Sequence, residues 1–308
     1  MPEYHAITCT TALHELKRKI PYGWDLNIYK GCRHGCRYCY AMGTHGFSGY
    51  HDFSSNISVK TNIIEVLEKQ LSSPNWKREI VNIGGVTDSY QPAEAQYQLM
   101  PEILRLLIKY KTPAIISTKS DLVLRDYDLI DALSRITYIN VAATVTTLDE
   151  SIRKKIEPGA VSGQARFEML KAFRKTNASV GHHLMPIIPT LTDDSETLTA
   201  LFAAGKEAGI DYVLPGALYL RGATRPAFFD FIKTTYPEKY DTLWRLYKKG
   251  GAPKEYKDEL YGRLNPLRQA FGLSNSYSKP IKEKLKVYPP AEEQVSFLNP
   301  VLNTNHTI

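Results

Sequence analysis

The sequence has 308 residues, a formal net charge of +7 and 43% hydrophobic residues, so it can form one large core or two small ones. No apolar run approaches the roughly 20 residues that a membrane-spanning helix needs, and we expect no signal peptide because the first residues lack a charged and then apolar pattern. Four cysteines in a chain of this length do not build a disulfide framework, which favours a reducing, cytoplasmic location. The positive charge permits a nucleic-acid partner without identifying one.

Predicted strands and helices alternate over the first two thirds of the chain. Residues 1–25 form a lead-in with a short helix over 12–19, and a strand over 25–29 then delivers a cysteine-rich loop. An irregular loop over 43–53 precedes a helix over 58–71, whose apolar residues recur at helical spacing. The later predicted strands cover 80–83, 113–117, 138–145, 178–184 and 211–214, and the later helices cover 96–110, 127–135, 163–175 and 195–208.

The order of these elements predicts the fold class. Near-continuous apolar strands between amphipathic helices indicate a parallel sheet that is covered by helices. With the strand over 25–29 included, six β/α units fit an α/β fold, a partial (βα)6 TIM-like barrel over residues 26–224. In such barrels the working residues lie at the C-terminal ends of the strands.

Residues 225–308 are predicted to form a mostly helical, basic extension with an irregular tail. Helices are expected over 226–233, 238–248 and 254–271. Between Arg245 and Lys286 there are 11 Lys and Arg residues against 4 Asp and Glu residues, with tyrosines among them. This mixture suits contact with phosphates and stacking on bases, but it is also the pattern of a solvated basic helix face.

Three of the four cysteines lie in one short stretch, YKGCRHGCRYCY over residues 29–40. Cys32, Cys36 and Cys39 have the spacing C-x3-C-x2-C. Three thiolates on one loop can bind three irons of a [4Fe–4S] cluster and leave the fourth iron open to a small molecule. Gly31 and Gly35 supply the backbone freedom that a tight loop needs beside its ligands.

Two other uses of these cysteines are open. A structural zinc site needs four ligands, and the fourth would be His34, His45, His51 or the distant Cys9. A redox dithiol would use Cys36 and Cys39 and leave Cys32 without a role.

The spacing, with the aromatic residue Tyr38 before the last cysteine, resembles the radical S-adenosylmethionine (radical SAM) superfamily. The resemblance implies a [4Fe–4S] cluster whose open iron chelates the methionine amino and carboxylate groups of SAM. It also implies reductive cleavage of SAM to a 5′-deoxyadenosyl radical that abstracts hydrogen from a substrate, and hence a reducing partner such as flavodoxin or ferredoxin. The residue at Tyr38 would lie near the adenine.

If the first strand end holds the cluster, the other strand ends are expected to bind SAM. Gly84 and Gly85 correspond by resemblance to the glycine-rich methionine-binding motif, and Thr87 or Asp88 is a candidate for the methionine ammonium. Lys119 would pair with the SAM carboxylate, because an unpaired cation in the barrel mouth is costly. Further candidate cofactor-binding residues are Ser117, Thr144 and Arg166.

Each of these candidates also has an ordinary structural explanation. The glycine pair is equally a simple turn, and Lys119 could pair with Asp88 or Asp121 instead of a ligand. Threonine is common in strands, and Arg166 could form a surface salt bridge. Of His182 and His183, alternation directs one into the barrel and the other toward the helices.

Several segments further resemble the spore photoproduct lyase-like branch of the superfamily, also called DNA repair photolyases. They are residues 25–41, 87–94 (TDSYQPAE), 118–120 with 125–126, 156–158 (IEP) and 185–189 (MPIIP). Spore photoproduct lyase splits a thymine dimer and uses a cysteine downstream of the cluster as hydrogen donor, but no cysteine follows Cys39 here. Tyr40 and Cys9 are therefore candidate catalytic substitutes.

The resemblance thus favours a radical SAM enzyme acting on a nucleic acid or nucleotide. The alternatives are modification of a peptide or small metabolite, and a cluster-bearing sensor or binding protein without catalysis. The substrate, the electron donor and the oligomeric state do not follow from the sequence.

Overall fold

A computed structural model describes residues 3–17, 20–44, 46–47 and 49–287 of the chain. His45 and the end of the predicted tail, residues 288–308, lie outside the described residues. The strands, in chain order, are β1 (Glu3–Ile7), β2 (Leu13–Glu15), β3 (Trp24–Leu26), β4 (Tyr29–Lys30), β5 (Asn56–Lys60), β6 (Val81–Ile83), β7 (Ala114–Thr118), β8 (Ile139–Thr144), β9 (Ser179–Ile187) and β10 (Tyr212–Ala217).

Helices cover the sheet and continue to the end of the described chain. They are α1 (Tyr50–Ser55), α2 (Ile63–Leu71), α3 (Pro92–Tyr97), α4 (Leu99–Lys109), α5 (Tyr127–Ser134), α6 (Glu150–Ile156), α7 (Gly163–Phe173), α8 (Ser195–Glu207), α9 (Thr224–Thr235), α10 (Tyr240–Leu246), α11 (Lys254–Ala270) and α12 (Ser278–Val287). Short 3-10 helices lie at Tyr40–Gly43, Asp121–Asp126 and Pro237–Lys239. No helix in the described part of the chain has the length and apolar character needed to cross a membrane.

The main sheet has seven strands in the order β10-β9-β8-β7-β6-β3-β2. All of its neighbouring pairs are parallel except β2 with β3, so six parallel strands alternate with helices. Together with the helical C-terminal region, this confirms the predicted α/β class and is consistent with a partial TIM-like barrel. A second, three-stranded sheet has the order β1-β5-β4.

Alternation along the strands separates the core from the barrel interior. Val141 and Val180 face the helices and belong to one large buried cluster. The alternate positions on these strands face inward, and there the Tyr212 hydroxyl donates to Asn140 Oδ1 at 3.2 Å. A Cβ at Gly181 would lie 2.1 Å from the Tyr212 ring, so glycine makes room for that ring inside the barrel.

The last described helix closes one end of the barrel. Ile281 of α12 packs with Ile80, Ile115 and Tyr138 in a separate buried cluster. Ile80 and Tyr138 directly precede β6 and β8, so this cluster lies at the N-terminal ends of the strands. The opposite, C-terminal end carries the cysteine loop.

Three sequence-based element predictions are wrong in part. The predicted helix over 12–19 contains strand β2, and the predicted helix over 58–71 begins only at Ile63, after β5. In β5 Ile57 and Val59 are buried at a spacing of two, which suits a strand. The predicted strand over 25–29 is split between β3 and β4, which belong to different sheets.

The helix predicted over 96–110 is also divided. Gln98 has φ of 50° and separates α3 from α4. The Glu94 side chain accepts hydrogen bonds from the backbone N–H groups of Leu99 (3.1 Å) and Met100 (2.9 Å), so it satisfies the first donors of α4.

Candidate active site at the C-terminal ends of the strands

The cysteine loop leaves β4 and turns tightly at two glycines. Gly31 has φ of 79° and Gly35 has φ of 57°, conformations that favour glycine. A Cβ at Gly31 would lie 2.8 Å from the carbonyl oxygens of Phe53 and Asn56. Larger residues at this position would therefore push the loop away from β5.

Backbone hydrogen bonds fix the loop on two sides. Cys32 N–H donates to Phe53 O at 3.0 Å, and Arg37 N–H donates to Ile156 O at 2.9 Å. Gly159 N–H donates to His34 O at 2.9 Å. A Cβ at Gly159 would lie 2.2 Å from Arg33 O, so the segment after α6 can approach the loop this closely only with glycine there.

The three cysteines of the loop are free thiols with little solvent contact. Cys32 and Cys36 are buried and Cys39 is partly buried. Burial raises the pKa of Cys36 to about 12 although the Lys119 ammonium opposes this, and burial likewise raises the pKa values of Cys32 and Cys39. Burial therefore disfavours bare thiolates here, and a bound metal group would neutralise the charge of the sulfurs.

The donor set fits a cluster better than the zinc site considered from the sequence. No three His, Cys, Asp or Glu side chains within the described ranges are placed to hold a single metal ion. Sulfurs that bind different irons of one [4Fe–4S] cluster need not converge on one point. His34, a candidate fourth zinc ligand, has one ring nitrogen 2.9 Å from Gly159 O and the other 3.0 Å from Asp88.

Asp88 is a buried anchor between the cysteine loop and β7. Its carboxylate lies 3.0 Å from His34 Nε2 and accepts from Thr118 Oγ1 at 2.8 Å and from the backbone N–H of Lys119 at 2.8 Å. Burial alone would raise the pKa of Asp88, but His34 and the backbone donors outweigh it and hold the pKa at about 2. Both oxygens of this predicted SAM-binding residue thus already have protein partners.

The loop after β6 forms hydrogen bonds directly with the cysteine loop. Thr87 Oγ1 and Gln91 Nε2 both donate to Gly31 O, at 2.6 and 3.1 Å. Gly84 has φ of 87°, and a Cβ at Gly85 would lie 2.5 Å from Asp25 Oδ2. Gly84 therefore turns the loop and Gly85 lets its backbone pass close to the Asp25 side chain, while binding of the SAM methionine by these glycines stays a prediction.

Glu157 is a site residue that the sequence placed in a matching segment but not among the candidate cofactor-binding residues. It is fully buried, accepts a hydrogen bond from the Tyr38 hydroxyl, and pairs with Arg166 at 2.6 Å. Arg166 also donates to Thr144 O at 2.6 Å. Burial would raise the pKa of Glu157, but Arg166 and Lys119 hold it below its usual value. The only sequence signal was the Ile156-Glu157-Pro158 match to the lyase-like branch.

Arg166, a predicted cofactor-binding residue, is bonded to protein groups in this structure. Its guanidinium is completely buried and engages Glu157 and the Thr144 and Val161 carbonyls. Arg166 thus holds Glu157, which in turn accepts the hydrogen bond from Tyr38, two residues after Cys36.

Lys119 extends from the end of β7 toward the cysteine loop. Its ammonium lies 5.9 Å from the centroid of the Tyr38 ring. Burial would lower its pKa, but the nearby Cys36 and Glu157 outweigh burial and raise it. Among the described residues no carboxylate forms a salt bridge with Lys119, and Asp88 bonds its backbone N–H instead. Ser117, partly buried, lies on the same strand end.

The two candidate catalytic residues lie in different places. Tyr40 is 65% exposed beside Cys39, and its hydroxyl donates to the Gly85 carbonyl. The Cys9 backbone is held by Asn62 through hydrogen bonds of 2.9 Å in both directions. Cys9 follows β1, whose last residue pairs with Lys60, whereas the cysteine loop contacts the other end of β5. The structure does not bring Cys9 to this site.

The two histidines of β9 separate as alternation requires. His182 packs against Phe167 of α7 with ring centroids 5.0 Å apart, and His183 Nε2 lies 3.3 Å from the Tyr212 hydroxyl inside the barrel. Burial lowers the pKa of His182 to about 4 and that of His183 to about 3, so both are neutral near pH 7.

Known proteins resemble this chain in sequence and in fold. The sequence profile of the radical SAM superfamily matches residues 26–202. An uncharacterized protein of Mycobacterium tuberculosis is 34% identical over 280 residues, which cover 89% of this chain and 82% of that protein. An uncharacterized protein of Methanocaldococcus jannaschii is 29% identical over 247 residues, covering 80% of this chain and 88% of the relative.

Among solved structures, spore photoproduct lyase shares the fold. A mutant with AdoMet and dinucleoside spore photoproduct bound superposes with a TM-score of 0.64 and 14% sequence identity, covering 87% of this chain and 79% of the lyase. At this identity the similarity concerns the fold alone.

Proposed function

Because the chain belongs to the radical SAM superfamily, we propose that it is an enzyme that reductively cleaves SAM at a [4Fe–4S] cluster bound by Cys32, Cys36 and Cys39. The observation that carries this proposal is the position of three enclosed sulfurs on one loop at the C-terminal end of a parallel barrel. When bound, the cluster would supply the electron that converts SAM to methionine and a 5′-deoxyadenosyl radical.

The surrounding residues have distinct proposed roles. The Lys119 ammonium, next to Tyr38 and without a carboxylate partner among the described residues, binds the SAM carboxylate. Gly84 and Gly85 give the methionine end access to backbone groups, and Tyr38 packs near the adenine. Three other candidates do not contact SAM in this proposal but hold the cysteine loop and Tyr38 in place: Asp88, Thr87 and Arg166. Ser117 and Thr144, at the C-terminal ends of β7 and β8, are further proposed cofactor contacts.

We propose a nucleic acid or nucleotide as the substrate. Two observations support this class: the basic, tyrosine-containing C-terminal region, and a fold shared with a lyase that binds a dinucleoside spore photoproduct. No cysteine follows Cys39, so a downstream cysteine cannot be the hydrogen donor. Tyr40 is the proposed hydrogen donor, because its exposed ring adjoins the last cluster cysteine. The electron donor would be a flavodoxin or ferredoxin in a reducing cytoplasm.

The direct test is anaerobic reconstitution with iron and sulfide, followed by reduction in the presence of SAM. We expect a brown protein that releases 5′-deoxyadenosine, and deuterium transfer from labelled oligonucleotides would identify the substrate class. Transfer from a peptide or metabolite instead would reject the nucleic-acid proposal. A colourless zinc protein, or a cluster that leaves SAM intact, would reject the enzymatic one.

Lys119→Ala is expected to weaken SAM binding by about 10- to 100-fold, the range for a lost hydrogen bond to a charged group. The cluster content should stay the same, since Lys119 is not a ligand. Isothermal titration of the reconstituted, unreduced protein with SAM measures the affinity. The exposed Lys69 on α2 provides the matched control, Lys69→Ala, which should bind SAM normally. Unchanged affinity in Lys119→Ala would rule out the proposed contact.

A further inference from the structure

An aromatic side chain stands exposed where the last strand leaves the barrel. Tyr219 follows β10 and is 53% exposed, whereas its neighbours Leu218 and Leu220 are 2% and 1% exposed. Alternation of the extended backbone thus buries both leucines and directs the tyrosine ring to the surface.

The backbone around Tyr219 is fixed on both sides. Leu218 N–H donates to Ile187 O at 3.0 Å, and Leu220 N–H donates to Gly250 O at 2.7 Å. Gly250 has φ of 82°, and a Cβ at Gly251 would lie 3.1 Å from the Tyr219 ring. Gly251 therefore makes room for this ring, and Gly250 turns the chain beside Leu220, so the ring is placed without being buried.

The positively charged Arg221 side chain lies near the Tyr219 ring. The guanidinium carbon of Arg221 lies 5.8 Å from the Tyr219 ring centroid, within the range of a cation–π contact. Throughout the described residues Arg221 forms no salt bridge with a carboxylate. Its positive charge is therefore available to an anion.

The same segment reaches the cysteine loop. Three residues after Arg221, the Thr224 hydroxyl donates to Cys39 O at 2.8 Å. Tyr40, next to Cys39, is also exposed at 65%, and Met185 near the C-terminal end of β9 is exposed at 37%. Tyr219 and Arg221 therefore lie on a segment that contacts the cysteine loop.

We propose that Tyr219 and Arg221 form a stacking platform for an unpaired nucleobase of the substrate, with Arg221 also contacting the adjacent phosphate. This inference rests on the proposed function and names the residues that select its substrate. A rigid aromatic ring beside a free guanidinium matches the way proteins bind single-stranded nucleic acid, in which bases stack on aromatic rings and cations follow the backbone.

The test measures binding of a fluorescent single-stranded oligothymidylate to the anaerobically reconstituted protein by anisotropy. Tyr219→Ala is expected to bind about tenfold more weakly, while Tyr219→Trp keeps the affinity because it keeps a stacking surface. Arg221→Ala should weaken binding and reduce its salt dependence, since one phosphate contact is lost. Thermal unfolding of each variant checks that the fold is intact.

A matched pair at the other end of the barrel provides the control. Lys109, the last residue of α4, lies 5.1 Å from the ring centroid of the next residue, Tyr110, and the chain then enters the N-terminal end of β7. Tyr110→Ala should bind the oligonucleotide like the unaltered protein.

The platform is rejected if Tyr219→Ala binds as tightly as the unaltered protein, or if the unaltered protein binds no oligonucleotide. Release of 5′-deoxyadenosine by the unaltered protein, measured without oligonucleotide, separates the two proposals. If it persists, only the substrate assignment fails; if it is absent, the proposed enzymatic function fails as well.

Discussion

Cys36→Ala is expected to reduce the iron content of the reconstituted protein from about four atoms per chain to nearly none, because a [4Fe–4S] cluster bound by three cysteines loses an essential ligand. SAM cleavage should disappear with it. Iron and sulfide analysis and the visible absorption of the cluster measure the outcome.

Cys9→Ala is the matched control for this experiment. Cys9 is a free thiol that packs against the main core at the far end of β5, away from the cysteine loop. The variant should therefore assemble a full cluster. If Cys36→Ala kept its iron, or if Cys9→Ala lost it, the assignment of ligands would be wrong.

Arg166→Ala is expected to lower the free energy of unfolding by about 3–5 kcal/mol, the effect of removing one partner of a buried ion pair. The Glu157 carboxylate would stay buried without its counterion, while the Tyr38 hydroxyl would lose the group that orients its acceptor. Urea denaturation of the cluster-free protein measures the loss.

The pH dependence identifies the cause of that loss. In the native protein the pKa of Glu157 lies below its usual value, so the pair stabilises the fold above the unfolded pKa and this contribution disappears as the pH falls. Without Arg166 the pKa of Glu157 should rise, because burial then dominates. Glu157 would be protonated at low pH, so the difference between variant and native protein should shrink as the pH is lowered from 7 toward 5.

An exposed pair gives the comparison. Arg105 and Glu102 form a salt bridge on α4 with side chains 55% and 54% exposed. Arg105→Ala should cost no more than about 1 kcal/mol, as is usual for surface pairs. Equal losses in Arg105→Ala and Arg166→Ala would contradict the buried-pair explanation.

The sequence predicted the barrel because its main signals are local. The strands near Ile116, Val141 and Val180 are continuous apolar runs, and the helices between them carry apolar residues at helical spacing. The short edge elements failed for the opposite reason. β2 has three residues and β5 has five, so their patterns are too short to stand out, and they are stabilised by pairing with β3 and β1.

In the candidate site, too, features that are local in sequence were predictable and contacts between distant residues were not. The three cysteines are close in sequence, so their spacing alone predicts a loop that could bind a cluster. Glu157 contacts Tyr38 across 119 residues, and His34 contacts Gly159 across 125, and no local pattern reports such contacts. Arg166 was singled out, but its carboxylate partner could be identified only once the chain was folded.

The packing of Ile281 against Ile115 and Tyr138 affects how a molecule could enter and leave the barrel. α12 therefore covers the N-terminal ends of the strands, and inside the barrel the Tyr212 ring lies against Gly181. A molecule that binds beside the cysteines would therefore enter and leave at the C-terminal end of the barrel. A reactive species generated there would meet protein walls below it, so the rim residues would govern both which molecule is attacked and how its product escapes.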